Sequence, residues 1–263
     1  MNSAATDPDS PQARGGAAFV LPPAPPRAGR GALDRTRILA AAVSMIDQHG
    51  LRHLTMRRLG AYLGVEGMAL YHYIPGREAL LDGIVEIVID ELYGDPDVHP
   101  SHPQWQEYLQ RLAHGVRRIA LAHPQVFPLI ATRPPAAPWV RPPLRSLRWM
   151  ESFLQTLKDC GFSDADAVAT YRAFSSFLLG HLLLEVSAQG ADIGPVEEED
   201  PGRPDPTDLT GYPLLQALQH RLSEDRSADE FEESLETLID RLEMLVRRST
   251  ISTSQSNGPG SRT

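Results

Sequence analysis

Apolar residues recur at helical spacing along most of this chain, and the pattern predicts short helices first and longer ones after them. From Leu33 to His49, Ile38, Leu39, Ala42, Val43, Met45 and Ile46 share a face. Asp34 stands early, and Gly50 follows the last turn as a stop. Arg57 to Leu63 reads as a second helix, with Leu59 and Leu63 inward, Arg57 and Arg58 outward, and Thr55 as its cap. Gly64 supplies a tight turn and Val65 an apolar plug. Gly67 to Tyr73 then makes one or two helical turns with Leu70 inward, and Pro75-Gly76 ends it. Arg77 opens a longer helix. Between Glu78 and Tyr93, Leu80, Leu81, Ile84, Val85, Ile87, Val88 and Leu92 cover more than half its circumference. Such a helix is expected to lie buried between two bodies.

The second half continues in the same period. Gln104 to Ala122 is helical, His123-Pro124 breaks it, and Val126 to Ala131 is a short apolar piece. The segment from Thr132 to Pro143 carries prolines 134, 135, 138, 142 and 143, which makes it a stiff crossing. Leu144 to Cys160 is the next helix, and Ser163 caps another from Asp164 to Ser187. On that long helix Ala169, Ala173, Ser176 and Gly180 form a small-residue stripe beside Tyr171, Phe174, Leu178 and Leu182, so that a second helix can approach closely. A polar loop spans Gln189 to Tyr212, followed by a short helix from Pro213 to Arg221. From Ala228 to Val246, Phe231, Leu235, Leu238, Leu242 and Leu245 make a narrow seam that expects a partner helix. The fold class is therefore all-α.

Two short helices joined by a glycine turn, the second ending in aromatics, is the helix-turn-helix arrangement, although an ordinary αα-hairpin shares its outline. Charge separates the two. The net charge of −9 disfavours a nucleic-acid partner for the whole chain. Between Arg27 and Leu81, however, eight arginines face four acids, leaving that stretch at +4 and the remainder at −13. A basic module on an acidic body suits site-specific DNA binding, because phosphates attract one end only. Residues 1–32 are rich in Pro, Ala and Gly, read as a disordered leader without a signal peptide, and place Arg27 and Arg30 where an arm touches DNA or is merely solvated. The single cysteine, Cys160, excludes internal disulfides and cysteine zinc sites and suits a reducing cytoplasm. No nucleophile elbow, phosphate loop, HExxH or paired-carboxylate cleft supports an enzyme.

The residues resemble a TetR-family transcriptional regulator with a tetracycline-repressor-type C-terminal domain. The likeness rests on His49-Gly50, Leu54-Thr55, Arg57, Leu59, Leu63-Gly64-Val65, Leu70-Tyr71 and Ala79-Leu80-Leu81-Asp82, and later on Thr132-Arg133-Pro134 and Gly161-Phe162-Ser163. Gly60 departs from it, because the family usually has alanine there. A softer second helix with the same fold is expected. The resemblance implies a leader at 1–32, an N-terminal three-helix reading domain at 33–76, a connecting helix at 77–93, a helical ligand-binding and dimerisation domain at 94–248, and a disordered tail at 249–263.

It also implies a homodimer on a palindromic operator, with half-sites about one helical turn apart. Base-edge candidates are then Gly67, Met68, Ala69 and His72, with Arg57 beside them, and phosphate candidates are Thr55, Arg57, Tyr71, Tyr73 and Arg77. His72 and Tyr73 have the alternative of packing under the long helix. Dimerisation would use the Asp164–Ser187 and Ala228–Val246 helices through Phe174, Leu182, Phe231, Leu235, Leu238, Leu242 and Leu245. A largely apolar ligand pocket would be lined by Tyr93, Trp105, Leu112, Val116, Phe127, Leu129, Trp149, Phe153, Phe174 and Leu178, each of which could instead simply fill the core. The tetracycline repressor holds its drug with Mg²⁺ through a histidine and a glutamate. Those positions are Leu129 and Leu184 here, so no metal or cofactor is expected. His181 and Glu185, four apart, read as a hydrogen-bonded pair. The function expected is a repressor released by a small apolar effector. An activator or partner-controlled regulator of the same fold needs the same DNA contacts, and an all-α enzyme is the remote alternative. A cytoplasmic location without membrane contact goes with each.

Overall fold

Asp34 starts the first helix by accepting a hydrogen bond from the Arg37 backbone N–H at 2.8 Å, and Gly50, at φ 79°, ends it. The computed structural model describes residues 32–95, 98, 104–133, 146–193 and 209–256, with side chains as far as 247. The leader at 1–31, the proline crossing from 134 to 143 and most of the polar loop at 194–208 lie outside the described residues.

Helix α1 (Arg35–His49) buries Ile38, Leu39, Ala42, Val43, Met45 and Ile46, the face read from the spacing. Helix α2 (Met56–Leu63) is capped by Thr55, whose Oγ accepts from the Arg58 N–H at 3.2 Å. Leu59 is fully buried, whereas Leu63 and Val65 are only half-buried, since both lie toward the open side of the turn. Gly64 turns the chain in the left-handed region at φ 73°. The next helix, Gly67–His72, makes the short helix expected, in tight 3₁₀ form. Six residues are too few to favour an α-helix by themselves. Packing against α2 sets its form: a Cβ on Gly60 would lie 2.9 Å from the Gly67 backbone, so the two glycines let the helices meet main chain to main chain. Leu70 anchors it and is fully buried.

Helix α3 (Arg77–Gly94) buries Leu80, Leu81, Ile84, Val85, Val88 and Leu92 and packs on α1, α4 and α5, the two-sided burial that its circumference predicts. Helices α4 (Trp105–Ala122), α5 (Phe127–Thr132), α6 (Leu147–Asp159) and α7 (Asp164–Ala188) form the body. Phe153 sits at its centre, stacked on Trp149 at 5.2 Å and on Phe174 at 5.7 Å, with Tyr108 and Tyr171 each at 5.9 Å. By length and composition α7 could cross a bilayer, but here it packs against α4, α5, α6 and α9. Helix α8 (Pro213–Leu222) buries no residue and leaves Leu214, Leu215, Leu218 and Leu222 exposed.

Helix α9 (Ser227–Ser256) departs from expectation twice. It stays helical to Ser256, beyond the end expected at Val246 and through the start of the tail expected to be disordered. Its seam also turns inward. Phe231, Leu235 and Leu242 are buried in the protomer's own core together with Ile239, as are Phe174 and Leu182 of α7. A narrow apolar stripe needs one helix to cover it, and the chain's own α7 and α4 already do so. Of the seven side chains expected to meet a partner, only Leu238 is half-buried and only Leu245 exposed.

Candidate nucleic-acid interface and ligand cavity

The Gly67–His72 helix turns one side to solvent. Met68 is 75% exposed, Tyr71 44% and Tyr73 43%, and His72 is exposed too, so neither His72 nor Tyr73 packs under α3. Gly67 and Ala69 are half-buried and bring the backbone close to whatever this side meets. Thr55 and Arg57 are exposed at the start of α2, and a shallow groove runs between Thr55, Arg57, Arg58 and Ala61. Arg77 is partly engaged, donating to the Leu54 carbonyl at 2.8 Å and so tying the start of α3 to the entrance of α2.

Sequence reasoning missed a pair beside these residues. Arg58 Nη1 lies 2.7 Å from His53 Nδ1. A guanidinium only donates, so this nitrogen of His53 accepts and its ring proton sits on Nε2. Five residues separate the two across a turn, and no helical spacing signals them.

The body holds a small, partly open apolar cavity of about 70 Å³. Val116, Phe127, Trp149 and Leu178 line it as expected, joined by Val88, Ile89 and Leu92 of α3, Ile119, Ile130, Leu179 and Ser175. The other predicted lining residues lie elsewhere. Leu112, Leu129, Phe153 and Phe174 fill the core, Trp105 packs edge-on against Phe162 at 5.3 Å, and the Arg148 guanidinium covers the Tyr93 ring at 4.6 Å. The α3 contribution was legible as apolar surface, but its spacing does not say whether it faces a neighbour or a void. Burial pushes the hydroxyl of Tyr171, next to Trp149, up to about 12, as a strongly apolar setting requires.

A magnesium–tetracycline complex does not fit this body. Leu129 is buried, Leu184 points outward at 71% exposure, and neither can ligate a hard cation. Glu185 is held by Arg117 at 2.6 and 3.1 Å, not by His181, which instead packs edge-on against Phe231.

Polar contacts tie the head and the connecting helix α3 to the body. His123 Nδ1 lies 2.6 Å from Asp47 Oδ2 on α1, Arg133 reaches Asp82 and Glu78 on α3 at 2.7 Å each, and Arg52 pairs with Asp192. Burial works against charge on His123, but the Asp47 and Glu91 carboxylates outweigh it and raise its pKa above 6.5. Burial also raises the pKa of Glu91, with His123 opposing the rise and Asp47 adding to it.

Comparison with known proteins agrees with this division. Residues 38–84 match the family described as bacterial regulatory proteins, tetR family, and residues 99–246 match the tetracyclin repressor-like C-terminal domain. A transcriptional regulator of Saccharopolyspora erythraea is 29% identical over 58% of this chain, and the chain spans 61% of that relative's length. The class C tetracycline repressor of Escherichia coli is 32% identical over 61% of this chain and 69% of its own. The Streptomyces coelicolor TetR family protein ActR, solved in complex with actinorhodin, superposes with a TM-score of 0.59 at 26% identity, covering 81% of this chain and 96% of that one. The chain belongs to the TetR family of transcriptional regulators, with a DNA-binding helix-turn-helix head, a tetracycline repressor-like body and no enzymatic role.

Proposed function

We propose that this regulator is a cytoplasmic repressor that binds a palindromic operator as a homodimer and leaves it when a small, largely apolar effector enters the body. The observation that carries this reading is the solvent-facing side of the Gly67–His72 helix, displayed beside Arg57 on a head tied to a cavity-bearing body. Met68 and Ala69 suit thymine methyl groups, and Arg57, Tyr71, Tyr73 and Thr55 suit phosphates. Arg57→Ala and Tyr71→Ala should each weaken operator binding by about tenfold or more with the dimer intact, as read by a mobility shift at fixed salt. Unchanged affinity in both would sink the assignment.

The cavity favours a neutral apolar effector, and the ActR complex with actinorhodin supports this body as a ligand seat. A seat of about 70 Å³ is below the roughly 300 Å³ that drug-sized ligands fill, so an effector must open it. For the dimer, the outward face of α7 is the favoured surface: Ala169, Ser176, Gly180 and Leu184 are exposed, with Met244 and Leu245 exposed on α9. Uncovered apolar surface of this kind marks interaction sites. Leu184→Asp should give folded monomers in sedimentation, whereas Leu238→Asp also disturbs the protomer's own core. The decisive experiment is selection from a random DNA pool at about physiological salt. A palindrome with half-sites near one helical turn apart is expected, and an unenriched pool would overturn the reading.

A further inference from the structure

Asp47, Glu91 and His123 meet at the joint between the head and the body. Asp47 lies in the last turn of α1, Glu91 on α3, and His123 caps the end of α4. The joint is nearly closed to water on the His123 side, whose side chain is 11% exposed. Beyond the 2.6 Å contact of His123 Nδ1 with Asp47 Oδ2, Asp47 Oδ1 and Glu91 Oε1 are buried and have no hydrogen-bond partner among the described residues. Two carboxylates crowding one imidazole in a poorly hydrated place favour the state that carries extra protons.

The same residues connect to the cavity through short paths along the backbone and its hydrogen bonds. The His123 carbonyl accepts from the Val126 and Phe127 N–H groups at 3.0 and 2.9 Å, so it anchors the first turn of α5. Phe127 and Ile130 of that helix line the cavity, and so does Leu92, the neighbour of Glu91 on α3. Widening of the cavity that displaces its α5 or α3 wall is therefore felt at this cluster.

We propose that the Asp47–His123 contact, with the Glu91 carboxyl beside it, is a proton-dependent link through which opening of the cavity is passed to the reading head. The second half of this statement rests on the cavity being the effector seat. The titratable groups facing His123 are Asp47 from α1 and Glu91 from α3. Both raised groups act in one direction. His123 contributes stability that is complete below its unfolded value near 6.5 and is lost as pH rises through its higher folded value, and Glu91 likewise favours the closed joint more at low pH than at high pH. The link therefore loosens as pH rises from 6 to 8.5.

The test is hydrogen exchange of α1 amides in the full-length protein without DNA or effector, corrected for intrinsic rates, across pH 6.0–8.5. Wild type should lose α1 protection with rising pH, by up to about tenfold per pH unit inside the titration window. His123→Gln and Asp47→Asn should each flatten that profile, and the double variant should add nothing further. Asp192→Asn should lower protection without changing the slope. A His123→Gln profile as steep as wild type, or additive effects in the double variant, would overturn the link. Ile130→Phe, which crowds the cavity, should loosen α1 and flatten the profile as His123→Gln does. If it instead keeps the wild-type slope, the joint titrates but is not coupled to the cavity, and the proposal fails on that half alone. Because no DNA or effector is used, either failure is distinct from failure of the repressor reading, which the operator selection tests.

Discussion

Arg117→Ala is expected to cost about 3–5 kcal/mol of stability, the largest single-residue loss predicted for this protein outside its aromatic core. Arg117 on α4 grips Glu185 on α7 through two hydrogen bonds, at 2.6 and 3.1 Å, and lies 5.1 Å from the centre of the Phe231 ring on α9. The Glu185 side chain is only 4% exposed. Removing the guanidinium strands a carboxylate that water cannot reach, and the lost attraction is smaller than the desolvation left uncompensated. Thermal unfolding should therefore fall by roughly 10 °C or more. Two further variants separate this cause from simple loss of packing. Glu185→Gln in the Arg117→Ala background should recover much of the loss, because it removes the stranded charge and keeps the shape. The double variant Arg117→Leu with Glu185→Leu should lie within a few kcal/mol of wild type, since exchanging a buried pair for apolar groups is close to neutral. If Arg117→Ala unfolds at the wild-type temperature, the pair is a surface contact and its three-helix role is lost.

That pair also shows where sequence reading stops. The spacing of His181 and Glu185 pointed to a hydrogen bond along one helix, because a helix reveals only its own neighbours at three and four residues. The true partner, Arg117, is 68 positions away and was visible only as one arginine in an amphipathic helix. The seam of α9 failed for a related reason. Its stripe of Phe231, Leu235, Leu238, Leu242 and Leu245 correctly announced that one helix must cover it, but periodicity does not tell a partner's helix from the chain's own α7. By contrast, α1, the Thr55 cap, the Gly64 turn and the buried Leu70 were legible to within a residue or two, because each follows from local backbone chemistry. The cavity lay between these extremes. Its walls read as apolar faces, and its position came only from how five helices meet.

Gly60→Ala is expected to reduce operator affinity by about 10- to 100-fold while the body stays folded. The new methyl carbon would sit 2.9 Å from the Gly67 Cα and N and from the Val65 carbonyl oxygen. All three are main-chain atoms, so no side chain can swing aside, and the Gly67–His72 helix itself must move. Overpacking of this kind costs about 1–3 kcal/mol, and at roughly 1.4 kcal/mol per tenfold the displacement of Met68, Tyr71 and His72 accounts for the loss. Alanine would give α2 better helix propensity, so a softer helix is the smaller part of what glycine does. The larger part is to seat the reading helix lower, against the α2 backbone. Gly64→Ala is the control. Its φ of 73° strains any other residue, yet nothing lies within 4 Å of the added carbon. It should lower stability by about 1 kcal/mol and leave the affinity of the folded fraction unchanged. Equal operator affinity for wild type and Gly60→Ala would show that the close approach does not set the height of the reading helix. A parallel loss in both variants would show that stability of the head, and not its geometry, governs binding.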